Sequence, residues 1–258
     1  MCDLNITLVQ TGLFWEDRER NLEKFSRIAE NLARPTDVVI LPEMFNTGFS
    51  MNAAALAEAM DGPSVRWLAE AAAWKRCVFV GSVIIREGAR HFNRLIWMRP
   101  DGSFTYYDKR HLFRMAGENE HFTAGTRRLV VDIGNWRVCP MICYDLRFPV
   151  WSRNRGDYDC LIYIANWPKP RRSAWKVLLR ARAIENQSYV IGINRIGRDG
   201  LGMVFSGDSA VFGPKGIRLS RTRPHEESVE AVTLSYQKLM DFRDKFQVLH
   251  DADGYELI

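Results

Sequence analysis

Cys139-Pro140-Met141-Ile142-Cys143-Tyr144-Asp145-Leu146-Arg147-Phe148-Pro149 is the stretch around which the chain is organised. Val138 to Ile142 reads as a short apolar strand, after which a polar, turn-rich segment runs into a helix start. Cys143 therefore stands where a buried strand hands over to a helix, with the free backbone N–H of Tyr144 beside it. Enzymes of the α/β class place nucleophiles at such positions. One cysteine at a strand end is more often a small buried hydrophobe, so its companions have to decide.

Working outward, Leu129–Ile133 and Trp136–Ile142, joined by Gly134-Asn135, form a hairpin that delivers Cys143, and Asp159–Ala165 is the next apolar strand. Upstream, Ile6–Gln10 is a strand, and Leu22, Phe25, Ile28 and Leu32 recur at helical spacing after Asp17. Pro35-Thr36 breaks that helix, and Asp37–Leu41 follows as a fully apolar strand, which makes a βαβ unit with its second strand buried on both faces. Two helical segments follow the loop 46–52, the second from Gly62-Pro63-Ser64. Cys77–Ile85, Phe92–Met98 and Phe104–Asp108 are strands. The segment 110–128 has no periodicity, and a loop of that length is usually functional or disordered. Ser173 reads as the cap of a helix carrying Trp175, Leu178 and Ala181. Tyr189–Ile193, Ser209–Phe212 and Val229–Leu234 supply further strands, and Tyr236–Phe246 a last amphipathic helix. The pattern is α/β, two sheets packed face to face with helices outside, in a single domain over 1–258.

Composition narrows the function. The chain has 258 residues, of which 47% are hydrophobic and 26% charged, an ordinary globular balance. No apolar run approaches a membrane span, and the N-terminus has no signal-peptide pattern. Five scattered cysteines do not form a disulfide framework, which points to a reducing cytoplasm. The net charge of +5 is mild, and the basic run from Lys169 to Arg182 reads as a solvated helix face, with no nucleic-acid motif.

Three residues share one property. Glu43, Lys109 and Cys143 each lie just past the carboxyl end of a strand, and one sheet can bring such ends together. A thiol of ordinary pKa needs a base or a nearby cation to become a nucleophile. Glu43 suits the base, Lys109 the stabilising cation, and Lys109 with the Tyr144 N–H an oxyanion site. Singly, Glu43 reads as a surface carboxylate and Lys109 as an edge-strand charge.

Leu41-Pro42-Glu43, Asp108-Lys109-Arg110-His111-Leu112-Phe113 and Ile142-Cys143-Tyr144-Asp145-Leu146-Arg147-Phe148-Pro149 resemble the three signatures of the carbon–nitrogen hydrolase (nitrilase) superfamily. The longer strings Leu41–Phe49 and Asp108–Met115 resemble its ω-amidase branch. The resemblance implies a four-layer αββα sandwich of two mixed β-sheets, with Glu43 as base, Lys109 as oxyanion stabiliser and Cys143 as nucleophile. It also implies a second glutamate, for which the setting before Ala124-Gly125 favours Glu120, with Glu118 close by. Self-association as a homodimer or larger homo-oligomer is implied, and no metal or cofactor. The implied reaction releases ammonia from a small 2-oxo dicarboxylic acid monoamide, 2-oxoglutaramate or 2-oxosuccinamate, through a cysteine thioester. Other amidases and N-carbamoyl hydrolases of the superfamily are the alternative. From different classes, a non-enzymatic scaffold or a basic nucleic-acid binder remains.

Around this core, Tyr144, Phe113 and Trp167 are expected to line the substrate, with Lys169, Arg171 or Arg172 meeting its carboxylate. His111 reads as structural, Cys139 as core, and Asp145 with Arg147 as an ion pair bracing the nucleophile turn.

Overall fold

The computed structural model describes residues 2–32 and 35–256. Its strands are β1 Leu4–Gln10, β2 Val38–Ile40, β3 Val78–Glu87, β4 Arg90–Met98, β5 Phe104–Asp108, β6 Val131–Ile133, β7 Trp136–Ile142, β8 Cys160–Ala165, β9 Tyr189–Asn194, β10 Ile196–Arg198, β11 Val204–Ser206, β12 Ala210–Phe212 and β13 Ser228–Leu234. The helices are α1 Arg18–Glu30, α2 Ala53–Leu56, α3 Pro63–Lys75, α4 Glu118–His121, α5 Pro149–Ser152, α6 Arg172–Glu185 and α7 Tyr236–Lys245.

One six-stranded sheet runs in the order β13-β1-β2-β3-β4-β5 and a five-stranded sheet in the order β12-β9-β8-β7-β6. β1, β2 and β3 are parallel, as are β7, β8 and β9. β4 runs against both β3 and β5, so β5 points the same way as β2. The residues following β2 and β5 are therefore carboxyl-end residues of co-directed strands in one sheet, and those following β7 and β8 are carboxyl-end residues of co-directed strands in the other.

The apolar run of β2 is explained by two buried faces. Val38 and Ile40 join the core between the sheets, where they meet Val138, Ile142 and Ile164. Val39 and Leu41 face the other way, into a cluster with Phe25 and Ala29 of α1 and Leu68 and Ala72 of α3. α6 closes the opposite side, inserting Trp175, Leu179 and Ala183. A methyl group on Gly192 of β9 would sit 2.4 Å from Leu179, so that glycine is what lets α6 lie down on the sheet. Helix, sheet, sheet and helix make the αββα sandwich.

Local expectations differ from the structure in three places. Arg171, not Ser173, precedes α6 and Ser173 lies within its first turn, because a 3₁₀ turn over Lys169–Arg171 runs straight into the helix. The segment 110–128 contains a 3₁₀ turn, Arg114–Ala116, and the short α4. β10 and β11 form a small hairpin whose glycine-rich tip hid it in the sequence.

Candidate active site

Cys143 sits at the end of β7 with φ +45, in the left-handed region that side chains rarely adopt. Asp145 holds this turn in place. Its Oδ2 accepts from the Ile142 N–H at 3.0 Å and from the Tyr107 hydroxyl at 2.8 Å. Its Oδ1 accepts from the His111 N–H at 3.0 Å and lies 2.7 Å from His111 Nδ1. Tyr107 and His111 flank Lys109, so one buried carboxylate ties the Cys143 turn to the lysine strand end. His111 also stacks on Phe148 at 3.7 Å. Its expected structural part agrees with that geometry. The expected Asp145–Arg147 pair does not form: Asp145 turns inward, and Arg147 turns outward to stack on Trp167 at 5.0 Å.

Lys109 stands at the end of β5, 1% exposed. Its Nζ lies 2.8 Å from Glu43 Oε1 and 2.9 Å from Glu118 Oε2, and both glutamates are fully buried. Asn93 of β4 bridges the two carboxylates, donating from Nδ2 to Glu43 at 2.8 Å and to Glu118 at 3.3 Å. The Asn166 N–H, just past β8, donates to Glu43 Oε2 at 2.8 Å, and the Phe113 N–H donates to Glu118 Oε2. Gly125 secures the strand end, since a side chain there would collide with the Asp108 carbonyl.

Glu118, rather than Glu120, is the second glutamate at Lys109. Glu120 is exposed and its carboxylate lies back towards Gly117. The two residues are two apart on a helical turn, where successive side chains are about 100° apart, so they face different ways and only one can reach the lysine.

The charges of this cluster are mutually dependent. Burial opposes the Lys109 ammonium, but attraction to Glu118 and Glu43 outweighs it and holds the lysine charged far above its ordinary range. Burial, only partly offset by Lys109, pushes the Glu118 carboxyl up. Burial first, and then the negative charge of Glu43, push the Cys143 thiol well above its ordinary value despite Lys109. Both causes favour a protonated thiol on Cys143 beside Glu43 over a thiolate held by the lysine.

A cavity of about 440 Å³ opens above Cys143 and Lys109. Phe113, Tyr144 and Trp167 line it, together with Trp15, Phe49 and Phe205. Phe113 and Tyr144 meet edge to face at 5.0 Å. Tyr144 is the second residue of the 3₁₀ turn Cys143–Arg147, whose first N–H groups have no acceptor within the turn. Of the three basic residues expected at the carboxylate, only Arg171 lines the cavity, stacked on Phe113 at 5.0 Å. Arg172 is held by Asp208 in a two-pronged ion pair at 2.7 and 3.0 Å, and Lys169 does not line the cavity. Arg147 also lines the cavity, beside Arg171 and the buried Lys109.

Asn93, Asn166 and Tyr107 were not expected at the site, and Arg147 was expected there only as the partner of Asp145. Asn166 carried a usable signal, because it is the first polar residue past an apolar strand, as Glu43 is. Asn93 had only its polarity within an apolar strand to mark it.

The family model for carbon-nitrogen hydrolases matches residues 5–244. The chain belongs to the carbon-nitrogen hydrolase family. It is 45% identical to Omega-amidase YafV of Escherichia coli over 257 residues, covering 100% of both chains. It is 30% identical to a 2-oxoglutaramate amidase of Bacillus subtilis over 252 residues, covering 95% of this chain and 96% of the other. The crystal structure of a CN-hydrolase superfamily protein from Xanthomonas campestris, with an arsenic adduct in its active site, superposes with a TM-score of 0.97 at 44% identity over 100% of both chains. Among the described residues, no helix of this family member is long and apolar enough to cross a membrane.

Proposed function

We propose that this hydrolase of linear amides releases ammonia from the terminal carboxamide of small 2-oxo dicarboxylic acid monoamides, 2-oxoglutaramate and 2-oxosuccinamate, through a thioester on Cys143. The observation that carries the reading is the joining of two things in one cavity: a buried Glu43–Lys109–Glu118 cluster beside Cys143, and the cations Arg147 and Arg171 on the walls. The relatives named as an omega-amidase and a 2-oxoglutaramate amidase support the same substrate class.

Glu43 takes the thiol proton as Sγ attacks the amide carbon. The carbonyl oxygen becomes an oxyanion facing Lys109 Nζ and the Tyr144 N–H, donors already in place before reaction. Glu43 then passes the proton to nitrogen, the C–N bond breaks and ammonia leaves. Water, deprotonated by Glu43, adds to the thioester carbon; the C–S bond breaks and the proton returns to sulfur. Glu118 acts by holding Lys109 charged and in position. The far carboxylate of the substrate meets Arg147 and Arg171, whose planar guanidinium groups suit two-pronged carboxylate recognition.

The chain is expected to work as one catalytic domain, to pair with further copies of itself and to reside in the cytoplasm, where its five free cysteines stay reduced. Ammonia release against a panel of small amides tests the substrate. Turnover of 2-oxoglutaramate or 2-oxosuccinamate well above that of neutral amides is the expected result. Failure of both alongside turnover of an N-carbamoyl amino acid would reassign the substrate and keep the mechanism.

A further inference from the structure

The floor of the cavity carries more negative charge than positive. Glu43 and Glu118, both fully buried, share the one ammonium of Lys109 at 2.8 and 2.9 Å, so two negative charges meet one positive charge. The other polar groups bound to them, the Asn93 side chain of β4 and the backbone N–H groups of Asn166 and Phe113, carry no charge. Cys143, the fourth titratable group here, follows β7, and burial together with Glu43 favours its uncharged form. On the walls, Arg147 and Arg171 line the cavity along with Glu16 and Asp199, two charges of each sign. Those four cancel in number, and the excess on the floor stays.

Substrate and product differ in charge at the end that meets this floor. A carboxamide is neutral, whereas the acid that replaces it is a carboxylate near neutral pH. An oxygen that meets Lys109 Nζ lies roughly 4–6 Å from both glutamates, because each of them contacts the same nitrogen. A like charge at that range disfavours ionisation. The glutamates need not touch the ligand, since charge acts across a poorly solvated interior. Burial already pushes the Glu118 carboxyl up, so the floor leans towards holding a proton.

We propose that Glu118 makes the floor selective for an uncharged end group: the amide binds as it is, and the acid product binds only together with one proton. The proposal rests on the amide-hydrolysis reading above and deepens it. In the last step water gives O–H to the thioester carbon and its other hydrogen to sulfur, which yields the neutral acid and the free thiol. The acid is held while it keeps its proton. Once that proton passes to solvent, the carboxylate faces two glutamate charges with one lysine between them, and it leaves. The charge that steadies Lys109 thus also clears the site, and it does not oppose the substrate, whose carboxamide is neutral.

Calorimetric titration of the full-length Cys143→Ala variant, with 2-oxoglutaramate and 2-oxoglutarate as probes, separates binding from turnover. From about pH 6 to about pH 8, Kd for 2-oxoglutarate should rise about tenfold per pH unit, because the complex holds one proton that the free partners lack. Kd for 2-oxoglutaramate should stay level, which controls for His111 and any other group that acts on both ligands. Adding Glu118→Gln removes the excess charge, and 2-oxoglutarate should then bind more than about tenfold tighter at about pH 8, with its pH dependence flattened. A Kd for 2-oxoglutarate that does not change with pH would overturn the proposal. An unchanged pH dependence after Glu118→Gln would take the role from Glu118 and overturn it as well. If the double variant does not fold, the pH series on Cys143→Ala decides by itself. If 2-oxoglutaramate does not bind while the unaltered enzyme hydrolyses another amide, the substrate reading fails, and that amide and its acid become the two probes.

Discussion

The floor and the walls of the cavity treat charge in opposite ways. On the floor, Lys109, Glu43 and Glu118 are buried and bound to one another, with Asn93, Asn166 and Phe113 supplying further hydrogen bonds. On the walls, Arg147 and Arg171 lie over Trp167 and Phe113, and no carboxylate engages either among the described residues. A buried charge that loses its partner has nowhere to turn, whereas a stacked guanidinium keeps its solvent and its freedom. On the function proposed above, the floor suits chemistry that must not move, and the walls a ligand that arrives with its own charge.

Breaking the floor should have the largest effect. Lys109→Met strands two buried carboxylates, and we expect a loss of about 3–5 kcal/mol in stability together with loss of turnover. Thermal unfolding and ammonia release read the two effects. Glu118→Gln should lower kcat more than a hundredfold, on the scale of about 2.7–4 kcal/mol for a disturbed oxyanion donor. Glu120→Gln should leave kcat unchanged, because that side chain faces solvent. Equal effects of the two substitutions would contradict the assignment of Glu118.

Breaking the walls should be milder and of a different kind. Arg147→Met or Arg171→Met should raise KM for an anionic amide by roughly ten- to a hundredfold, about 1.5–3 kcal/mol for a charged hydrogen bond, with kcat nearly kept. Arg172→Met should leave KM alone, since Asp208 already holds that side chain. Steady-state kinetics on charged and neutral amides separates these cases.

The smallest signal concerns the resting thiol. Burial and Glu43 raise its pKa, so the proton stays on through the ordinary thiol range near about 8.5, and the thiolate grows in only at higher pH. The ultraviolet thiolate absorbance of the unaltered protein minus that of Cys143→Ala should be flat at neutrality. A step below neutrality would show a resting thiolate and remove the need for Glu43 as base.

The floor was largely legible in the sequence because it obeys a topological rule. Glu43, Lys109 and Cys143 each lie just past a strand, but not of one sheet as expected: Glu43 and Lys109 follow co-directed strands of the six-stranded sheet, and the face-to-face packing of the sheets brings Cys143 to them from β7 of the other. The rule fails inside the loop that follows Lys109. Four residues of α4 carry no periodicity from which to tell Glu118 from Glu120, and the choice is made by the Phe113 N–H and Lys109, which fold back on it. Arg147 was misread for a related reason. Neighbourhood in sequence suggested Asp145 as its partner, but Tyr107 and His111 claim that carboxylate from another strand end. Asn93 takes its importance from standing beside two glutamates that only the folded sheets bring together.

The most direct test of the account is to quench the enzyme during turnover of 2-oxoglutaramate and weigh the peptide that contains Cys143. The account predicts an acyl group on Cys143 in thioester linkage, released by hydroxylamine, with neither adduct nor turnover in a folded Cys143→Ala variant. Substantial amide hydrolysis by that variant, or an acyl group bound elsewhere, would contradict it.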